Sequence, residues 1–338
     1  MLAYKPSRLS LAHLPTPIRP LDRLSRPLGG PRIWLKQDDF TGSAQTGNKL
    51  RKLEFVVAEA LAQGCDTLIT CGGVQSNHCR TAALVGAQLG LKVHLLLRGD
   101  PASCIDGNLL MDHMAGAEVS IYPDDEYVAN LGGIFQHWKE YYQSVGRSAY
   151  VIPTGASDEV GLWGYLQASE ELLNDFKQND IQPDAIVVAT GSGGTQAGLT
   201  LGLHLQGSLI PVHGVAVCDS ELYFHNKVRS DISAWQKRWG AFFNKTNLDE
   251  LLAELRIHTL DAYIGPGYAQ GYDELFQCIQ MVAQEEGIIL DPVYTGKAFY
   301  GLVSEIKSGI FSGMEDIVFV HTGGVFGLFP YRNVVLGR

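Results

Sequence analysis

The chain has 338 residues, 46% of them hydrophobic and 18% charged, with 26 Lys and Arg against 36 Asp and Glu for a net charge of −10. At about 150 residues per domain this length implies roughly two domains, and the apolar content excludes a disordered chain or a small stapled scaffold. An acidic chain without a basic cluster argues against nucleic acid and anionic membrane as partners.

The six cysteines are scattered without a C-x-x-C pair, so they read as free thiols of a reducing compartment. The first residues lack a signal-peptide run, since His13 and the prolines at 15, 17 and 20 break it. No stretch approaches the roughly eighteen apolar residues of a membrane span. The expected compartment is the cytosol.

In chain order, Arg32 to Lys36 reads as a strand and Asn48 to Ala62 as a helix, with Leu50, Leu53, Val56, Val57, Ala60 and Leu61 at helical spacing. Thr67 to Thr70 is a short strand and Ser76 to Leu89 a helix. Strand Val93 to Leu97, helix Gly107 to Ala115, strand Val119 to Tyr122, helix Asn130 to Ser144 and strand Tyr150 to Pro153 follow. The second half repeats the alternation: helix Glu159 to Asp175, strand Ala185 to Thr190, helix Gln196 to Leu205, strand Pro211 to Val217 and one long helix Glu221 to Glu254. Strands Arg256 to Leu260 and Ile317 to Val320 enclose helical patterns around Glu274 to Gln284 and Gly296 to Ile306. The expectation is an α/β protein of two doubly wound domains with parallel sheets, whose sites lie at the carboxyl ends of the strands.

Five strand-end segments carry candidate chemistry. Thr190-Gly191-Ser192-Gly193-Gly194-Thr195 joins a strand to a helix through glycines, so backbone N–H groups and the helix dipole make an anion site there. It lacks the G-K-[ST] ending of a nucleotide-triphosphate loop, and the same turn also serves as a plain tight connection. Lys49, in Thr46-Gly47-Asn48-Lys49, opens a helix, where the dipole disfavours a cation. Such placement lowers an amine's pKa and favours Schiff-base chemistry, although the segment alone also reads as a solvated lysine beside Arg51 and Lys52. Gln75-Ser76-Asn77-His78 again opens a helix, either holding a carboxylate or merely capping. His78 reads as a packed helix residue, not a metal ligand. Tyr294-Thr295, after Asp291-Pro292-Val293, and Thr322-Gly323-Gly324 place hydroxyls at strand ends.

Together these segments resemble the pyridoxal-phosphate enzymes of the tryptophan-synthase-β type, fold type II. Gly47 to Phe55, Gln75 to His78 and Asp291 to Lys297 look like the D-cysteine desulfhydrase and 1-aminocyclopropane-1-carboxylate (ACC) deaminase group. The likeness runs from Pro15-Thr16-Pro17 to Thr322-Gly323-Gly324. It implies that Lys49 holds pyridoxal phosphate as a Schiff base and later moves the Cα proton. It implies that Asn77 bonds the phenolic oxygen of the ring and that Gly191, Ser192, Gly193, Gly194 and Thr195 bind the phosphate. Gln75, Ser76 and Asn77 would take the substrate carboxylate, Tyr268 and Tyr294 would face the substrate, and Thr295 or Thr322 would sit by the pyridine nitrogen. A homodimer acting on a small amino acid is implied, with a smaller domain at residues 50–160 and a larger one from 1–49 and 161–338.

ACC deaminases look like Tyr-Glu after Asp-Pro-Val, where this chain has Tyr294-Thr295. A hydroxyl cannot keep the ring nitrogen protonated as a carboxylate does. This favours elimination of a good β leaving group such as thiolate, and the resemblance then implies α,β-elimination of D-cysteine to pyruvate, ammonia and hydrogen sulfide. ACC deamination, elimination from cysteate or β-chloroalanine, and racemisation are the alternatives on the same fold. Thr46 replaces the group's usual glycine, and Ala269-Gln270-Gly271-Tyr272 replaces its Gly-x-Pro-Asn, both in loops expected near the substrate. A non-catalytic binding protein and a nicotinamide-dependent dehydrogenase are readings of other classes. Lys49 argues against the first, and the late position of the glycine loop against the second.

Overall fold

A computed structural model describes residues 2–337. Among the described residues ten strands form two sheets: β1 (Ile18–Pro20), β2 (Arg32–Gln37), β3 (Thr67–Gly73), β4 (Lys92–Arg98), β5 (Glu118–Tyr122), β6 (Ala149–Val151), β7 (Ala185–Thr190), β8 (Val212–Ala216), β9 (Ile257–Leu260) and β10 (Asp316–His321). The helices are α1 (Asp22–Leu28), α2 (Asn48–Ala62), α3 (Asn77–Leu89), α4 (Gly107–Met114), α5 (Asp124–Ser144), α6 (Trp163–Asn179), α7 (Gly194–Leu205), α8 (Glu221–Trp239), α9 (Leu248–Glu254), α10 (Asp273–Glu286), α11 (Thr295–Ser308) and α12 (Arg332–Val335).

The smaller sheet has the order β5-β4-β3-β6 and is parallel throughout, with Ile69 opposite His94 and Val151. The larger has the order β1-β2-β10-β7-β8-β9. Its strands are parallel, with Phe319 between Leu35 and Val187, except for β1, which pairs antiparallel to β2. The α/β class with two parallel sheets holds, and it follows from apolar strands such as Ala185–Thr190, buried along their whole length. Leu53 and Phe55 of α2, Leu68 and Val93 of the smaller sheet, and Trp163, Leu201 and Trp235 beyond it form one continuous core.

Three of the expected helices differ most from the sequence reading. The long helix expected over 221–254 breaks after Trp239. A 3-10 turn at Gly240–Phe243 and a left-handed Asn244 (φ 55°) lead to α9, which Asn247 caps through Asp249 N and Glu250 N. Gly240 makes this possible, because a Cβ there would fall 2.4 Å from the Lys245 carbonyl. The helix expected at 159–175 begins four residues later, since Asp158 Oδ1 accepts from Gly161 N at 2.7 Å and holds that stretch as a turn. Helix α5 starts at Asp124 and kinks at Asn130, its expected first residue (φ −135°). Strand β1 and helix α1 were not anticipated: three residues are too short for a periodicity to show, and Pro27 lies within α1.

Candidate active site

The carboxyl ends of β3, β4, β7, β8 and β10 surround a cavity of about 550 Å³. Lys49 stands on its wall, at the start of α2. The preceding Gly47 has φ 108°, and a Cβ there would meet the Thr322 carbonyl at 2.7 Å. Only glycine lets the two loops approach so closely, and Asn48 N then donates to Thr322 O at 3.1 Å. The Lys49 amine has no hydrogen-bond partner among the described residues, and burial pushes its pKa down to about 8.

Two residues on, the buried Arg51 anchors the same helix. Its Nε and Nη2 donate to Asp38 at 3.0 and 2.7 Å, and its Nη1 and Nη2 donate to Glu171 at 2.9 Å each. Lys36 joins the network through Glu171 at 2.6 Å and Asp175 at 2.5 Å. Burial pushes the Glu171 carboxyl up, but the hydrogen bonds and charges of Arg51 and Lys36 outweigh it and bring it down to about 2.

The glycine turn after β7 forms a cradle. No side chain caps α7, and Gly193 before it has φ 82°. A Cβ at Gly191 would meet Tyr294 and Val217 at 3.0 Å each, and one at Gly194 would fall 2.5 Å from Ser157 Oγ and 2.7 Å from Lys52 Nζ. Thr195 Oγ1 accepts from Asn48 Nδ2 at 3.0 Å, and Ser192 Oγ lies 2.8 Å from Ser157 Oγ. Beneath the turn the fully buried Lys52 donates to Gly155 O and Ser157 Oγ at 3.1 Å each. Lys227 donates to Ser157 O at 3.1 Å. Burial, and then the charge of Lys49, holds Lys52 well below its ordinary range. The sequence reading missed Lys52, Lys227 and Ser157. Only Lys52 carried a signal, one helical turn from Lys49 on the same face.

At the start of α3, Ser76 Oγ accepts from Cys79 N at 3.2 Å, so it caps the helix while lining the cavity. Asn77 lines it as well, and its Oδ1 accepts from Asn108 Nδ2 at 3.0 Å, which leaves its own NH2 for the cavity. Gln75 is placed elsewhere: its amide donates to Asp106 O and accepts from Asn108 N, and it is not among the residues that line the cavity. His78 reaches the cavity wall, bonded to Thr70 Oγ1 at 2.7 Å, and burial followed by the charges of Lys49 and Lys52 keeps it neutral.

Tyr268 and Tyr294 meet on the opposite wall, hydroxyl to hydroxyl at 2.5 Å. Thr322 lines the floor and makes no side-chain hydrogen bond among the described residues. Thr295 does not line it. Its Oγ1 donates to Asp291 Oδ1 at 2.7 Å, and the same carboxylate accepts from the backbone N–H groups of Val293, Tyr294 and Thr295 at 2.9 Å each. Of the two hydroxyls set against the pyridine nitrogen by resemblance, only Thr322 is exposed to the cavity. The buried Lys297 donates to Ile264 O and Gly267 O at 2.7 Å each, holding the loop that delivers Tyr268.

This donor set fits a phosphorylated aldehyde. The cavity combines an amine whose proton is loosened, an uncapped helix start backed by Lys52, and Thr190 Oγ1, which is buried without a partner. Among the described residues no helix is long and apolar enough to cross a membrane, and no three His, Cys, Asp or Glu cluster as metal ligands.

The profile of the family "Pyridoxal-phosphate dependent enzyme" matches residues 9–323. The Arabidopsis thaliana bifunctional D-cysteine desulfhydrase/1-aminocyclopropane-1-carboxylate deaminase, mitochondrial, is 41% identical over 95% of this chain and 79% of that protein. The D-cysteine desulfhydrase of Serratia proteamaculans is 36% identical over 97% of both chains. The crystal structure of an ACC deaminase homologue superposes with a TM-score of 0.81 at 37% identity, covering 98% of this chain and 96% of that one. This chain belongs to the pyridoxal-phosphate-dependent enzymes, within the group that holds the D-cysteine desulfhydrases and ACC deaminases, and pyridoxal phosphate is its cofactor.

Proposed function

We propose that this chain converts D-cysteine and water to pyruvate, ammonia and hydrogen sulfide. The observation that carries this reading is the cavity floor. Asp291, the buried carboxylate packed against Gly324 beside that floor, spends its oxygens on four donors, and the hydroxyl of Thr322 is the group left for the cofactor ring. The two carboxylates that do line the cavity, Asp124 and Asp219, are solvent-exposed. A ring without a carboxylate partner is a weaker acceptor of electrons. That is sufficient for a good leaving group such as thiolate and poorly matched to opening a cyclopropane.

When bound, pyridoxal phosphate supplies the electron sink for the charge left at Cα. The Gly191–Thr195 turn, with Lys52 beneath it, would hold its phosphate, and Asn77 its phenolic oxygen. Lys49 would anchor it and move the Cα proton at Nζ, a role suited to an amine that burial sets at about 8. Ser76 and Asn77 would take the substrate carboxylate, with Gln75 shaping that turn from behind. Tyr294 and Tyr268 would hold a proton over the departing sulfur.

The domain division at residues 50–160, against 1–49 and 161–338, is supported by the smaller sheet lying wholly within 67–151. The exposed Phe329, Val334 and Leu336 supply apolar surface for a homodimer, and the six free cysteines suit a cytosolic enzyme.

The test is product analysis with purified, cofactor-loaded protein. Equal yields of pyruvate and sulfide from D-cysteine, well above the 2-oxobutanoate formed from ACC, support the reading. ACC turnover as fast as that of D-cysteine would make it a deaminase instead. Lys49→Ala should lose the visible absorbance of the bound cofactor, and an unchanged spectrum would remove Lys49 from its role.

A further inference from the structure

The cavity wall carries a second cation that none of these roles uses. Arg98 is the last residue of β4, at the carboxyl edge where parallel sheets place their sites. Its backbone is fixed by pairing opposite Gly73 and Tyr122, and its carbonyl accepts from Val74 N at 3.1 Å. Its guanidinium lies 5.0 Å over the ring of Tyr268, a cation–π contact that orients it beside the tyrosine pair. Among the described residues it forms neither an ion pair nor a side-chain hydrogen bond. By contrast Arg51, Arg238 and Arg332 each have a carboxylate partner.

Of the basic side chains lining the cavity, Lys49 is committed to the cofactor and His78 is held neutral. Arg98 is the remaining positive charge. Asp124 and Asp219 share the wall, but both are solvent-exposed and neither is in ion-pair contact with it. The Ser76–Asn77 turn serves the α-carboxylate of an amino acid. A half-buried guanidinium with five N–H donors and no partner then suits a second anionic group on the same ligand.

We propose that Arg98 determines specificity by reading the charge of the substrate's β-substituent, selecting amino acids whose β-group is anionic, a thiolate or a sulfonate, over uncharged groups of the same size. The proposal rests on the reading of this cavity as the site of an amino-acid β-elimination. It adds a positive criterion against ACC, whose ring methylenes offer Arg98 no charge.

The experiment compares binding of cysteate with that of 3-sulfamoylalanine, its uncharged counterpart of nearly equal size, in both enantiomers. Calorimetry is performed on the cofactor-loaded protein and on Arg98→Met and Arg98→Lys. A charge-assisted contact predicts that the wild type prefers cysteate by about ten-fold or more. Arg98→Met should bring the two affinities together by weakening cysteate alone, and Arg98→Lys should keep part of the preference. An unchanged visible spectrum shows that the variant cavities are intact. Equal affinities in the wild type overturn the proposal. So does an equal loss for both ligands in Arg98→Met, which would assign Arg98 to the α-carboxylate. The lyase reading is judged separately, by pyruvate from D-cysteine: binding preference without pyruvate retains Arg98's role and removes the elimination.

Discussion

The phenolic oxygens of Tyr268 and Tyr294 stand 2.5 Å apart, although 26 residues separate them in the chain and they come from different loops. Burial raises both phenols, Tyr268 to about 12 and Tyr294 well above its ordinary value. Tyr268 is the lower of the two because the hydrogen bond from Tyr294 and the nearby Arg98 charge offset part of its burial. Both are therefore protonated at neutral pH, and in the proposed reaction the pair would pass on a proton from one partner while the other re-bonds. Tyr294→Phe should lower kcat by about 10²–10⁴-fold, the usual worth of a positioned acid or base, with the cofactor absorbance retained. A kcat within two-fold of wild type would remove the pair from the chemistry.

Lys49 yields a pH dependence. With its pKa near 8, against 10.5 for an ordinary lysine, about a quarter of its amine is neutral at pH 7.5, instead of about one part in a thousand. Attachment of the cofactor at Lys49, as proposed, needs the neutral amine. The rate at which the apoprotein gains visible absorbance should rise with pH and level off above about 8. A rate still climbing tenfold per pH unit beyond 9 would show an unshifted lysine.

Lys297 never touches the cavity, yet it sets the position of Tyr268 by bonding the carbonyls of Ile264 and Gly267. Lys297→Met leaves two carbonyls without their donor, at a cost of about 1–3 kcal/mol each. The expected result is a raised KM with the cofactor spectrum unchanged and partial rescue by Lys297→Arg. A variant with wild-type KM would show that the loop holds without it.

The Arg51 network predicts the acid limb of stability. Glu171 is depressed from 4.5 to about 2. A carboxylate with a lowered folded-state pKa stabilises the fold above its unfolded value and loses that contribution as pH falls through the folded one. Glu171→Gln should flatten the loss of stability between about pH 4.5 and 2 in denaturant titrations. Arg51→Met should cost about 3–5 kcal/mol, because Asp38 then remains buried without its charge partner. Parallel acid limbs for wild type and Glu171→Gln would contradict the assignment.

Helix α2 and strand β7 were legible in the sequence to the residue, since helical spacing at Leu50 to Leu61 and an unbroken apolar run at Ala185 to Thr190 are local signals. The motifs around Lys49, Ser76, Gly191 and Thr322 were legible as strand-end loops, and the structure gathers them around one cavity. The break at Gly240 was not legible, because it answers to the Lys245 carbonyl packed against that glycine. Lys52 and Ser157 are brought under the glycine turn by packing between segments about a hundred residues apart.

The sequence by itself determined the fold class, the family and the candidate lysine, because periodicity and strand-end motifs are properties of neighbouring residues. Only the tertiary structure decided which hydroxyl the cavity receives. Thr295 and Thr322 are equivalent as letters, but the Asp291 carboxylate, folded back on its own turn, binds Thr295 and leaves Thr322 to the floor. It alone decided that Arg98 stands beside Tyr268 without an ion pair among the described residues, since a side chain's partners depend on which strands and loops converge there and not on its neighbours in the chain.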